Sequence, residues 1–199
     1  MTGEDQERNW LERARRGDGE AIGELYRRYA HAVYRYEYYR LGDAEEAEDV
    51  TADVFVRALE ALPRFRERGL PFSAWLYRVA AARVADDFRR KRRRPTERLA
   101  REITESSAGP EEVAEERWRA EQLRRLVGRL PEIQQQVLIL RFVERLSHGE
   151  VARIIGRSEG AVRVIQYRGL RELRRLLEQE EGEVEHGAKK ALEQGSQGS

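Results

Sequence analysis

The stretch SHGEVARIIGRSEGAVRVIQYRGLREL, residues 147–173, holds two short helical patterns on either side of one glycine. Ser147 and Glu150 have capping-box spacing: the hydroxyl accepts from the third backbone amide and the carboxylate accepts from the cap amide. The helix so opened carries Val151, Ala152, Ile154 and Ile155 and ends at Gly156. Glycine there can take the left-handed conformation of a sharp turn. Ser158 is then placed to cap a second helix, with Val162, Ile165 and Leu173 inward. Counted from His148, Ala152 is fifth, Gly156 ninth and Val162 fifteenth. Those are the places of the small residue, the turn glycine and the locking aliphatic in a helix-turn-helix.

The outward face of the second helix is Arg163, Val164, Tyr167, Arg168 and Arg171, with Arg157, Ser158 and Glu159 at its tip. A recognition helix puts its N-terminal residues against base edges and flanks them with phosphate contacts. Arg157, Glu159, Ala161, Arg163 and Val164 are therefore expected near bases and Arg168 and Arg171 on phosphates, with Ser158 and Tyr167 completing the expected upstream-element surface. The competing reading is an ordinary helical hairpin with a solvated arginine face.

Charge along the chain is segregated although its totals cancel: 38 Lys+Arg stand against 37 Asp+Glu in 199 residues. Residues 43–60 hold seven acids against Arg57. Residues 64–94 hold eleven bases against three acids and end in the run Arg89, Arg90, Lys91, Arg92, Arg93, Arg94. Residues 95–118 swing back to acid, 145–175 to base, and the segment from Leu176 to acid again. Two basic modules joined by an acidic connector suit a protein that touches nucleic acid at two places. All but three of the bases are arginine, whose rigid fork matches phosphates and base edges.

Composition excludes several classes. With no Cys, disulfides, thiolate catalysis and cysteine-ligated zinc are absent. His31, His148 and His186 lack metalloprotease spacing. No apolar run spans a bilayer, and the N-terminus does not read as a signal peptide, so a cytoplasmic protein is expected. No metal or cofactor is expected. With 38% charged residues, several small cores are expected rather than one thick one.

Periodicity reads as helix nearly throughout, giving an all-α fold of two small helical domains. Ala21, Ile22, Leu25, Tyr29 and Val33 form one face, and Gly42 ends that helix. Asp43 caps the next, with Ala47, Val50, Val54, Ala58 and Leu62 inward and Pro63 as its stop. A third, from Pro71, carries Trp75, Leu76, Val79 and Val84, and Pro95 closes it. Ile133, Val137, Leu140 and Val143 face inward after Pro131. The expected organisation is an N-terminal extension 1–20, a first helical domain 21–94, a flexible acidic linker 95–112, a helix-turn-helix domain 113–178 and a disordered tail 179–199. In the first domain, Arg64, Arg66, Arg68, Phe72, Trp75, Arg78, Arg83, Arg89, Arg90 and Lys91 interleave aromatics with cations. That combination suits single-stranded nucleic acid, because bases stack on rings while cations meet the backbone. For Phe72, Trp75 and Leu76 the competing reading is plain core.

The segments ELYRRYAHAVYRY, LGDAEEAEDVTADVFVRALEALPRF, PFSAWLYRVAAARVADDFRRKRRR and the one running from Leu130 through the helix-turn-helix to Leu173 follow one another in a familiar order. Together they resemble bacterial sigma factors of the sigma-70 family, in particular the compact extracytoplasmic-function (ECF) group. The resemblance implies a subunit that binds core RNA polymerase, directs it to specific promoters and aids strand opening, without chemistry of its own. By position, 21–94 is similar to sigma region 2 and 113–178 to sigma region 4. Asp49, Thr51, Asp53 and Phe55 would dock on the clamp helices of the β′ subunit, with the β subunit a further contact. The first basic module would hold the downstream promoter element and the recognition helix the upstream one. An anti-sigma factor is a partner that many such proteins have. The chain departs from the family at Ala52, where Gln is common, and at Ala81 and Ala82, where Arg-Asn is common. It departs again at Val164, Ile165 and Gln166, where Ser-Arg-Leu is common.

Two rival readings remain beside it. A stand-alone helix-turn-helix regulator would bind duplex DNA without polymerase, but leaves the first basic module unexplained. An enzyme built on Glu45, Glu46, Asp49 and Asp53 would lack the Glu-x-x-His partner of a helical metal site and any phosphate loop.

Overall fold

The computed structural model describes residues 3–65, 70–93 and 111–195, the side chains of 4, 91–93, 111–117, 181 and 183–195 excepted. Among the described residues there is no strand. Helix α1 spans Gly3–Ala14, α2 Gly19–Leu41, α3 Ala44–Ala61 and α4 Phe72–Arg93. Then come α5 Glu111–Gly128, α6 Glu132–Leu138, a π turn Ile139–Val143, α7 His148–Ile155 and α8 Glu159–Gly195.

The local signals act where the sequence places them. Asp18 accepts from the amides of Glu20 and Ala21 at the start of α2, and Asp43 from that of Glu46 at the start of α3. Gly42 closes α2 at φ 82°. The α3 stripe Ala47, Val50, Val54, Ala58 and Leu62 is buried throughout. It packs with Leu25 and Val33 of α2 and with Leu76 and Ala80 of α4.

Four expectations need correction. The first 20 residues are not a mere extension: α1 lies on α2, with Leu11 and Ala14 buried. Residues 179–195 do not form the expected disordered tail, because α8 continues to Gly195. Its Glu, Gln, Ala, Lys and Leu are good helix formers, and no proline interrupts them. Ile133 is exposed rather than inward, since it sits in the first turn of a seven-residue helix whose buried side is Gln135, Val137 and Leu138. Finally, the two domains do not keep separate cores. Val33, Tyr36 and Tyr77 of the first share one buried cluster with Val137, Leu140, Val151 and Val162 of the second. A small satellite is made by Leu126, Leu130, Leu138 and Leu176. The linker expected at 95–112 falls outside the described residues up to 110, and Glu111 and Glu112 already belong to α5.

Polar contacts seal the seam between domains. Arg35 of α2 makes a two-pronged bond to Glu144 (3.1 and 2.8 Å), and the Tyr77 hydroxyl of α4 donates to the same carboxylate at 2.9 Å. The Glu144 side chain is 3% exposed. Arg40, itself buried, donates to the backbone carbonyl and the carboxylate of Glu132. Arg78 of α4 donates to the carbonyls of Arg153 and Ile154 at the end of α7.

Beneath this seam lies Glu37, 0% exposed, with no hydrogen-bond partner on either oxygen. Burial pushes its carboxyl up to about 8, against the pull of Arg40 and Arg83. The unfolded chain ionises this group in the ordinary carboxylate range, whereas the folded chain keeps it protonated until about pH 8. Its contribution is therefore fully present at low pH and is lost as pH rises through that window. Glu37→Gln should flatten the decline of the thermal midpoint between pH 5 and 8 and stabilise the protein at pH 8 by about 1–3 kcal/mol, measured by thermal denaturation across pH.

Candidate nucleic-acid interface

The helix-turn-helix forms as its spacing predicts. Ser147 and Glu150 make the full capping box of α7. Gly156 turns at φ 66°, and the Ser158 hydroxyl accepts from the Ala161 amide to open α8. Ala152 is buried where α7 meets α8, and Val162 is wholly enclosed. The result is a single outward face. Arg157, Ser158, Glu159, Arg163, Val164, Arg168 and Arg171 are exposed, Ala161 is half-buried and Tyr167 is 68% exposed. Arg163 is held only by an exposed pair to Glu159 at 3.4 Å, a contact weak enough to exchange for a ligand. An aromatic ring flanked by free guanidinium groups on a helix of this width fits a DNA major groove.

The first basic module is more internally committed than its sequence suggests. Arg64 is exposed. Arg66 and Arg68 lie outside the described residues, as does the side chain of Lys91. Phe72 is core, 3% exposed and packed edge-on against Phe65 and Tyr29, so it offers no face for stacking a base. Trp75 is half-buried on the same cluster, its ring 4.7 Å from that of Phe65. Arg83 is turned inward: it pairs with Asp53 at 3.0 Å and with the buried Asp87 at 3.8 Å. Its place opposite two carboxylates makes it a structural cation. Arg89 and Arg90 stay largely exposed beside Asp86 and Asp87. Arg78 is exposed, but its guanidinium is spent on α7. Together with Ala152, Arg153, Arg157 and Glu159 it lines an open cleft of about 700 Å³ at the tip of the recognition helix.

The acidic helix divides likewise. Asp49 is exposed, and Asp53 is half-exposed beside Arg83. Thr51 and Phe55 point into the bundle and are not surface contacts. The Thr51 hydroxyl donates to the Ala47 carbonyl, and the Phe55 ring meets Tyr26 edge-on at 4.8 Å. Sequence reasoning missed Tyr26 and Val56, which are about half exposed on α2 and α3. Their signal was an apolar residue out of phase with the buried stripe. Among the described residues, no group of three or more His, Cys, Asp or Glu is placed to hold a metal ion, and no helix is long and apolar enough to cross a membrane.

Residues 25–94 match Sigma-70 region 2, and residues 120–173 match Sigma-70, region 4. The ECF RNA polymerase sigma factor BldN of Streptomyces coelicolor is 41% identical over 169 residues, 84% of this chain, which spans 64% of that longer protein. The ECF RNA polymerase sigma factor SigD of Mycobacterium tuberculosis is 41% identical over 165 residues, covering 79% of this chain and 77% of SigD. In fold, the chain is similar to CnrH, solved with the cytosolic domain of CnrY (TM-score 0.66, 24% identity, 87% of this chain and 97% of that one). It is also similar to RpoE of Bartonella quintana, solved with the anti-sigma factor NepR (TM-score 0.61, 18% identity, 78% and 96%). The chain belongs to the sigma-70 family of RNA polymerase sigma factors and, within it, to the ECF group.

The division between structural and free cations is directly testable. Arg83→Ala removes a partner of a buried carboxylate and should cost about 2–3 kcal/mol, because Arg90 still reaches Asp87. Arg89→Ala should stay within about 0.5 kcal/mol of the parent, both variants being read by urea titration.

Proposed function

We propose that this chain is a specificity subunit without chemistry of its own, delivering core RNA polymerase to promoters and helping to open them. The observation that carries this reading is the free face of Arg163, Val164, Tyr167, Arg168 and Arg171 within the part that matches region 4, on a chain whose other half matches region 2. The first half of α8 enters the major groove of the upstream element. The exposed acids of α3, Asp49 foremost, meet a basic surface of the polymerase, with Tyr26 and Val56 adding apolar area. Arg64, Arg89, Arg90 and the face of Trp75 that is left uncovered are the downstream candidates that remain open. Binding single-stranded bases better than paired ones shifts the duplex toward the bubble. RpoE was solved with an anti-sigma factor, and an inhibitor of that kind is a fitting partner here.

The free chain is closed in this reading. Arg78 and α4 stand beside the turn that leads into the recognition helix, where the phosphates flanking a major groove must come. Both domains can serve one promoter only after the Glu144 contacts part.

Two outcomes are expected. In run-off transcription from genomic fragments, core polymerase should initiate at defined sites only when the chain is added. Asp49→Arg should lower co-purification with core enzyme by about tenfold or more without moving the thermal midpoint. Duplex binding that needs no polymerase, with no effect on initiation, would instead mark a stand-alone regulator. Glu144→Gln should raise the affinity of the free chain for upstream-element duplex by about tenfold while leaving the polymerase-bound form unchanged, read by fluorescence anisotropy.

A further inference from the structure

Gln166 stands on the recognition helix one turn from the enclosed Val162. A half-buried amide there is unfavourable unless its oxygen is satisfied. It is satisfied from two elements. Arg141 of the π turn donates its Nε to Gln166 Oε1 at 3.1 Å. His148, the first residue of α7, places Nε2 at 3.1 Å from the same oxygen. With that oxygen as acceptor, the His148 proton is on Nε2. Arg141 carries the connection further, donating to the carbonyl of Leu146. Leu146 follows Arg145, whose φ of 55° makes it the one described non-glycine residue with positive φ. Such a corner persists only where surrounding contacts hold it. A single amide oxygen therefore ties the recognition helix to the π turn, to the start of α7 and, through Arg141, to the left-handed corner before the capping box.

We infer that Gln166 is a positioning residue for upstream-element recognition: it fixes the roll of the recognition helix against α7. This rests on the reading of that helix as the duplex-reading element. The residues that face outward, Arg163, Val164 and Tyr167, lie within three positions of Gln166 and turn with it. A roll of about 20° moves side-chain tips some 5–6 Å from the axis by about 2 Å, more than a hydrogen bond to a base edge tolerates. Apolar packing of Val162 and Ile165 sets the depth of the helix but is tolerant of rotation. Directional bonds from two sides are not. Gln166 itself touches no base in this account.

The test uses polymerase reconstituted with the full chain and a promoter fragment recovered by run-off selection. It compares binding to that fragment with binding to one whose upstream element is scrambled. Gln166→Leu removes the acceptor but keeps the volume, and should cut this discrimination about fivefold or more while leaving thermal midpoint and core-enzyme binding in place. Gln166→Glu keeps an oxygen for Arg141 and His148 and should stay within about twofold of the parent. Arg141→Met, which breaks the same tie from outside the helix, should reproduce the loss. Should Gln166→Leu keep full discrimination, or Gln166→Glu lose as much as Gln166→Leu, the positioning role is overturned. Tyr167→Ala separates the two levels. If it abolishes discrimination while Gln166→Leu does not, only the role of Gln166 falls. If neither variant matters, the recognition-helix reading falls with it.

Discussion

One buried carboxylate, Glu144 at the end of the π turn, receives Arg35 from α2 and the Tyr77 hydroxyl from α4. Because it is almost wholly enclosed, its charge must be met by these donors, and meeting them fixes the second domain on the first. Tyr36 and Tyr77 stack edge-on beside it, and Arg40 with Glu132 closes the far side. The shared core, the cleft at the tip of the recognition helix and the seating of Arg78 all depend on this junction.

The junction explains how a chain with so much charge stays compact. Many of the described arginines are not loose cations. Arg83 answers Asp53 and Asp87, Arg124 answers Glu121, and Arg175 answers Glu172. Arg163, Arg168 and Arg171 are exposed together on the outward side of α8. The second domain thus presents exposed arginines on α8, while the first presents exposed acids on α3 beside Arg64, Arg89 and Arg90. The two faces suit partners of opposite sign.

Much of this was readable from residue order. Ala47, Val50, Val54, Ala58 and Leu62 recur at helical spacing and are all buried, and Asp43, Ser147 and Gly156 cap or turn the chain where their chemistry says. The residues read as outward on α8 are exposed, Ala161 apart, because an exposed helix with one locking aliphatic leaves little freedom. The first domain's site did not. Phe72 beside arginines looks the same in sequence whether it stacks on bases or on Phe65, and Arg83 looks free until Asp53, thirty positions earlier, folds against it. Helix α1 was missed because only Trp10, Leu11 and Ala14 mark its packed side. The junction itself joins residues 109 positions apart in the case of Arg35 and Glu144, and no local pattern announces such a pair.

The claim that the free protein is held shut is tested most directly by a distance across the junction. The chain has no cysteine, so Glu60→Cys and Gln179→Cys place one probe on each domain at exposed sites. Pulsed electron-spin or single-molecule fluorescence measurement should show one narrow distance in the free chain that lengthens when core polymerase is added. A broad distribution in the free chain, or a distance that polymerase leaves unchanged, would contradict the account.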